Sequence, residues 1–137
     1  MESIGMAKAN RSHQVILKEL VIEITDKLDS DYIVLQEPNY DDGDAKSNQP
    51  DVLVYNKEDD EMLVSIEVCL KSMVSKEIKK CQQALADYPE IRECFVIAYK
   101  PVNTFDYSIV SYTKITRESV IDSSESDTLE IDFADIL

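Results

Sequence analysis

Two short apolar runs parted by an acidic turn set the frame for this chain. Gln49-Pro50-Asp51-Val52-Leu53-Val54-Tyr55 and Leu63-Val64-Ser65-Ile66-Glu67-Val68-Cys69 have the length and the apolar, β-branched content of strands. The connection through Asn56-Lys57-Glu58-Asp59-Asp60 is short, which predicts an antiparallel hairpin. Each run carries one carboxylate that packing does not explain. Asp51 opens the first directly after a proline, and Glu67 sits between Ile66 and Val68. Neighbouring strands lie about 4.8 Å apart, so two carboxylates on one face of such a pair can share a divalent cation. The pair points to metal-assisted chemistry.

The flanking segments supply the rest of a sheet and its cover. Behind Ser12, a candidate N-cap, Ile16, Leu17, Leu20, Val21, Ile24 and Leu28 recur at helical spacing and predict a helix over 12–28. A short strand is expected over 32–36, and the turn-rich stretch 38–50 reads as a loop or wide hairpin. After the hairpin, Ser75 is a candidate cap for a second helix with Ile78, Cys81, Leu85 and Tyr88 as its buried stripe and Pro89 past its end. A strand over 94–99 is apolar throughout, as a strand covered on both faces should be. Further strands are expected over 107–112 and 128–132, with a closing helical turn over 133–137. A helix between the third and fourth strands implies a crossover, hence a mixed sheet. The expectation is one α/β domain over 1–137: a mixed, mostly five-stranded central β-sheet flanked by helices, with a loose leader over 1–11.

The net charge of −14 weighs against tight non-specific DNA binding, which rests on phosphate contacts from a basic face. The acid is unevenly spread. Residues 118–137 hold Glu118, Asp122, Glu125, Asp127, Glu130, Asp132 and Asp135 without a Lys or Arg, which reads as solvating surface. Over 71–80, by contrast, Lys71, Lys76, Lys79 and Lys80 stand against Glu77 alone, so a local basic patch beside the carboxylates is compatible with the sequence. Cys69, Cys81 and Cys94 form no CxxC pair and sit in apolar or periodic settings, so buried reduced thiols and a cytoplasmic location are expected. No apolar run approaches the roughly 18–20 residues that span a bilayer. Lys8, Asn10, Arg11 and His13 interrupt the pattern of a secretory leader. With Gly5 and Gly43 as its only glycines the chain lacks a phosphate-cradling loop, and a single histidine, His13, gives Ser-His-Asp catalysis little support.

The element order, with PDVLVYN and then SIEVC, resembles the restriction-endonuclease-like superfamily, named for its PD-(D/E)xK motif. Within it the chain looks most like a family of small bacterial proteins assigned as endonucleases. Ser12-His13-Gln14-Val15-Ile16 opens the first helix in the manner of that family, and a strand ending in Gln36-Glu37-Pro38 precedes the PD strand. The third strand reads Ile66-Glu67-Val68, and Ile91-Arg92-Glu93-Cys94-Phe95-Val96 leads into the next. The tail from Leu129 through Glu130, Ile131, Asp132 and Phe133 also looks like theirs. The likeness covers about residues 12–137, and the order and context of its short motifs make the case.

The resemblance implies that Asp51 and Glu67 hold Mg2+ or Mn2+, assisted by the backbone carbonyl of Val68, for phosphodiester hydrolysis by an activated water. The superfamily adds a lysine two residues after the glutamate; Cys69 stands there instead. Where the basic residue has moved to the following helix, the matching position is Gln82, a residue type found in other branches. Lys79, on a neighbouring helix face, and Lys71, in strand parity with Glu67, are the other candidates for the missing charge. DNA is the implied substrate and a homodimer the implied assembly, with no membrane partner.

Plainer roles stand beside these. Asp51 also suits a turn cap after Pro50, and Glu67 also suits an edge strand with its carboxylate in solvent. On a central strand, however, a buried carboxylate is costly unless it is neutral, paired or metal-bound. Cys69 reads as packing, and Gln82, Lys79 and Lys80 suit a solvated helix surface. His13 reads as part of the start of the first helix, Glu23 as an exposed helix position, and Glu37 as a neighbour of the site. The leading expectation is a divalent-metal-dependent DNA endonuclease. The alternative is a nuclease-fold domain without catalysis, acting as a dimeric or regulatory interaction module. A third is that the acidic tail shields the site until a partner removes it.

Overall fold

The computed structural model describes residues 11–38, 40 and 49–137. The leader expected over 1–11, apart from Arg11, and most of the loop expected over 38–50 lie outside the described residues. The two apolar runs form the expected hairpin: β2 (Val52–Asn56) and β3 (Glu61–Leu70) pair antiparallel, with Val52 opposite Ile66 and Val54 opposite Val64. β1 (Tyr32–Gln36) pairs antiparallel with β2, and β4 (Glu93–Pro101) runs parallel to β3 on its other side. The crossover needed for that parallel step is helix α2 (Val74–Asp87), reached from β3 through a 3-10 turn over Lys71–Met73. β5 (Tyr107–Ile115) and β6 (Val120–Asp122) continue antiparallel and complete a mixed sheet in the order β1-β2-β3-β4-β5-β6.

Alternation along β3 and β4 divides the core between two faces. Val64, Ile66 and Val68, with Phe95, Ile97 and Tyr99, pack in one cluster with helix α1 (Arg11–Lys27), whose Ile16, Leu17, Leu20 and Ile24 are fully buried. Cys69, Cys94 and Val96 pack on the other face with Cys81, Ala84 and Leu85 of α2. Because both faces are covered, β3 is buried everywhere between its two end residues. Glu67 therefore lies on a central strand, and its carboxylate is not at a solvated edge.

Four details depart from the sequence-based expectation. The main sheet has six strands, because Val120–Asp122 joins as β6; all three residues are exposed, so no alternation signals them. The strand expected over 128–132 is not in the main sheet. Only β8 (Ile131–Asp132) is extended there, paired with β7 (Glu125–Ser126) in a separate ribbon, and Glu130 at φ 56 sits in the turn between them. Leu129, Ile131 and Phe133 nevertheless reach the α1-side core, so the alternation marked burial correctly and strand wrongly. Helix α2 starts one residue before Ser75, with Met73 in the cap position and no side-chain cap bond. The closing turn is 3-10, over Phe133–Asp135, and the Asp132 carboxylate caps it by accepting the Ala134 N–H at 3.0 Å.

Arg117, in the β5–β6 connection, closes the other end of α2. Its guanidinium donates to the carbonyls of Leu85 (2.7 Å), Tyr88 (3.2 Å) and Ile91 (2.6 Å), and so supplies a donor to Leu85 in the last turn of α2 and ties that end to the segment that follows it. Arg117→Ala is expected to lower stability by about 1–2 kcal/mol, read as a shift of the urea midpoint at unchanged slope. Among the described residues no helix is long and apolar enough to cross a membrane.

Candidate functional site

Extending the β2–β3 register by one residue beyond the Val52–Ile66 pair places Asp51 across from Glu67. The two acids are laced together through the backbone. The Asp51 N–H points to Glu67 Oε1 at 3.3 Å, and the Val68 N–H donates to Asp51 Oδ2 at 2.7 Å. Local sequence explains the arrangement: Pro50, lacking an N–H, ends the incoming segment, and the strand ladder begins just after Asp51. The carboxylate of Asp51 is thereby left at the mouth of the hairpin instead of inside it.

Glu67 is 1% exposed and faces α2. Burial pushes its carboxyl up from 4.5 to about 8; Lys80 opposes that rise, while Asp51 and Glu77 add to it. Lys80 reaches in from α2, with Nζ 3.4 Å from Oε1 and 3.3 Å from Oε2, and also donates to the Gln49 carbonyl at 2.7 Å. Its approach to Oε2 has the distance of an ion pair but not the direction of a hydrogen bond. Among the described residues Oε2 thus remains buried without a donor, as does Oε2 of Glu77.

His13 closes the site from the first turn of α1. Its Nε2 donates to the Val68 carbonyl at 3.0 Å and lies 3.5 Å from Asp51 Oδ2, so the proton must sit on Nε2. The hydrogen bond to Asp51 raises the imidazole pKa above its ordinary value, against the opposing effect of burial. The ring also lies 6.2 Å from that of Tyr99. Ser12 explains why this turn is held here. Its buried hydroxyl points to the carbonyls of Asn103 and Asp106, 3.1 Å from each, and so pins α1 to the β4–β5 loop. Glu37, at φ 52, donates its N–H to the Asp51 carbonyl at 2.7 Å, which places it beside the site as a neighbour of His13.

The remaining candidates lie elsewhere. Gln82 is exposed and lines a cavity of about 410 Å³ with Leu85, Pro89 and Arg117. Lys79 is exposed on α2, and Lys71 is exposed in the 3-10 turn beside a 270 Å³ cavity that it shares with Leu70, Tyr99 and Val110. Cys69 is buried in the α2-side core, its thiol pushed up to about 12 by burial. Glu23 is half-buried on α1, ten residues beyond His13. The cation that meets Glu67 is Lys80, a member of the same lysine cluster that sequence reasoning assigned to surface. The second addition is His13. Its one signal was its place in the Ser-His-Gln segment.

These groups suit a divalent cation of the hard, oxygen-seeking kind. Among the described residues no set of three His, Cys, Asp or Glu side chains converges as a ready-made metal cage. Mg2+, however, is commonly bound by one or two carboxylates with water and phosphate filling its other positions. Asp51, Glu67 and the Val68 carbonyl meet that requirement, and the orphaned Glu67 Oε2 is the buried oxygen a cation would satisfy. No protein-family model matches this chain, and no curated protein matches it either.

Proposed function

We propose that this chain is a divalent-metal-dependent endonuclease of the restriction-endonuclease-like type, hydrolysing phosphodiester bonds in DNA. The observation that carries the proposal is a buried glutamate on a central strand, hydrogen-bonded to the backbone of an aspartate across the hairpin and holding one oxygen without a donor among the described residues. The mixed sheet flanked by helices, with a helical crossover between β3 and β4, supports the same class. Asp51, Glu67 and the Val68 carbonyl would hold Mg2+ or Mn2+. The bound metal supplies an acidified water and offsets charge on the phosphodiester in the transition state.

Lys80 takes the part for which Gln82, Lys79 and Lys71 were the sequence candidates. Its ammonium stands at the carboxylate from the following helix, where it can orient a water or meet a phosphate oxygen. Reduced, buried thiols suit a cytoplasmic setting, and a homodimer would supply two sites for double-strand cleavage.

Purified protein with Mg2+ or Mn2+ is expected to nick supercoiled plasmid. Asp51→Ala and Glu67→Ala should fall to background, and Lys80→Met should lose roughly 100-fold in rate. Equal cleavage by parent and the Asp51 and Glu67 variants sinks the proposal.

One observation favours a second reading. Lys80 already faces Glu67 and His13 already faces Asp51, so the acids carry internal counter-charges without any ion. A nuclease-fold module without catalysis, acting through a partner, would keep such a closed pair. Titration with Mn2+ decides between them: the nuclease binds the ion through Glu67, and the module does not.

A further inference from the structure

Glu67 Oε2 and Glu77 Oε2 are the buried side-chain oxygens that lack a hydrogen-bond donor among the described residues. The first comes from β3 and the second from α2. Glu77 stands on α2, the same helix that brings Lys80 to Glu67, and its Oε2 is turned into the buried layer. One ammonium serves this pair of acids. Lys80 rests on Glu67 and on the Gln49 carbonyl, while Glu77 stands three residues before it on the same helix. Helix side chains three apart are neighbours, so Lys80 has a second carboxylate at hand and is docked on the first.

We propose that Lys80 exchanges partners when a divalent cation enters: its ammonium leaves Glu67 for Glu77, which frees the Glu67 carboxylate for the ion. Glu77 is then a positioning residue that acts through Lys80 and never touches the metal. The inference rests on the metal-dependent reading of the site. Charge balance is its physical reason. Before entry, Lys80 is docked on the Glu67 carboxyl group. Afterwards Asp51 and Glu67 together offset the two charges of the cation, and Glu77 offsets Lys80. Without Glu77, a displaced ammonium would remain beside a dication with no carboxylate of its own, and like charges a few ångströms apart in a partly buried layer repel strongly.

The test is calorimetric titration of Mn2+ into the full chain and into Glu77→Gln, Lys80→Met and the double variant. Lys80 is partly exposed and Glu77 half-buried on one helix, and circular dichroism establishes that each variant is folded. The parent binds. Glu77→Gln weakens binding about tenfold, Lys80→Met binds at least as tightly as the parent, and adding Glu77→Gln to Lys80→Met changes affinity by less than about threefold. Two results overturn the exchange while leaving the metal site intact. One is a loss of the same size in both backgrounds, which makes Glu77 act without the lysine. The other is no loss in the parent background. A parent that binds no Mn2+ removes the nuclease reading and this inference together.

Discussion

Replacing Glu67 by glutamine is expected to abolish divalent-cation binding and, at alkaline pH, to stabilise the fold. Burial holds the Glu67 carboxyl at about 8, against 4.5 for the unfolded chain, so the folded protein keeps a proton that the unfolded one has released. The stability this gives is fully present below about pH 4.5 and is lost as the pH rises through about 8. By about pH 9 the ionised, buried carboxylate costs on the order of 4 kcal/mol relative to a neutral group. Glutamine stays neutral and resembles the protonated acid in shape. Parent and variant should therefore melt within about 2 °C of one another near pH 4.5 and several degrees apart near pH 9, the variant higher. Cation binding runs the opposite way, because the ion needs the carboxylate. The parent's affinity for Mn2+ should climb from about pH 6.5 to about pH 8.5 with release of a proton, and the variant should show none. Equal melting temperatures near pH 9 would mean that Glu67 is not held neutral by burial, and retained Mn2+ binding would mean that the ion sits elsewhere.

A carboxylate buried at a cost on a central strand is what separates Glu67 from an ordinary strand residue. It was legible in the sequence because a carboxylate between Ile66 and Val68 has no packing reason to be there, and a hairpin sets which residue faces it. Strand pairing is a local matter, so Asp51 followed from the same short stretch. The cation was harder. Lys79 and Lys80 are adjacent on a helix, about 100° apart around its axis. Which of them reaches Glu67 depends on how α2 is rotated over β3. The buried stripe of Cys81, Ala84 and Leu85 is legible in the spacing, but the 3-10 turn at Lys71–Met73, which sets how the helix enters over β3, is not. His13 was less legible still. Its position depends on Ser12 meeting carbonyls 91 and 94 residues away, a long-range contact with no local signature.

The fold shows the same division. α1, α2 and the central strands came from periodicity, since each buries a stripe or a face. β6 did not, because its residues stay in solvent. Nor did the role of Glu93, whose carboxylate accepts the Ser126 hydroxyl at 2.6 Å and the Asp127 N–H at 3.0 Å and faces Lys114 at 3.3 Å. Both partners of that ion pair are buried, and Asp127 joins it at 2.6 Å from the Lys114 ammonium. The acidic tail is thus not merely solvating surface. Asp127 ties it to the sheet, and Asp132 caps its last turn and accepts the Ser124 hydroxyl at 2.6 Å.

Phe133→Ala is expected to cost about 3–5 kcal/mol and to leave the affinity of the folded protein for DNA unchanged. Phe133 is fully buried, edge-on to Phe95 at 4.8 Å between ring centres, and Leu129 and Ile131 join it in the α1-side cluster. The tail is therefore a wall of the core. It lies with Phe95 and helix α1 on one face of the sheet, whereas Glu67 meets Lys80 of α2 on the other, so the sheet itself stands between Phe133 and the Glu67 carboxylate. A tail that shields the site predicts otherwise: loosening it should tighten DNA binding. Urea unfolding gives the stability, and fluorescence anisotropy with a labelled duplex in Ca2+ gives the affinity of the molecules that remain folded. A several-fold gain in affinity on Phe133→Ala would restore the shielding role. A loss of stability alone identifies the acidic C-terminal segment as the part of the chain that completes the core beneath β4 and β5.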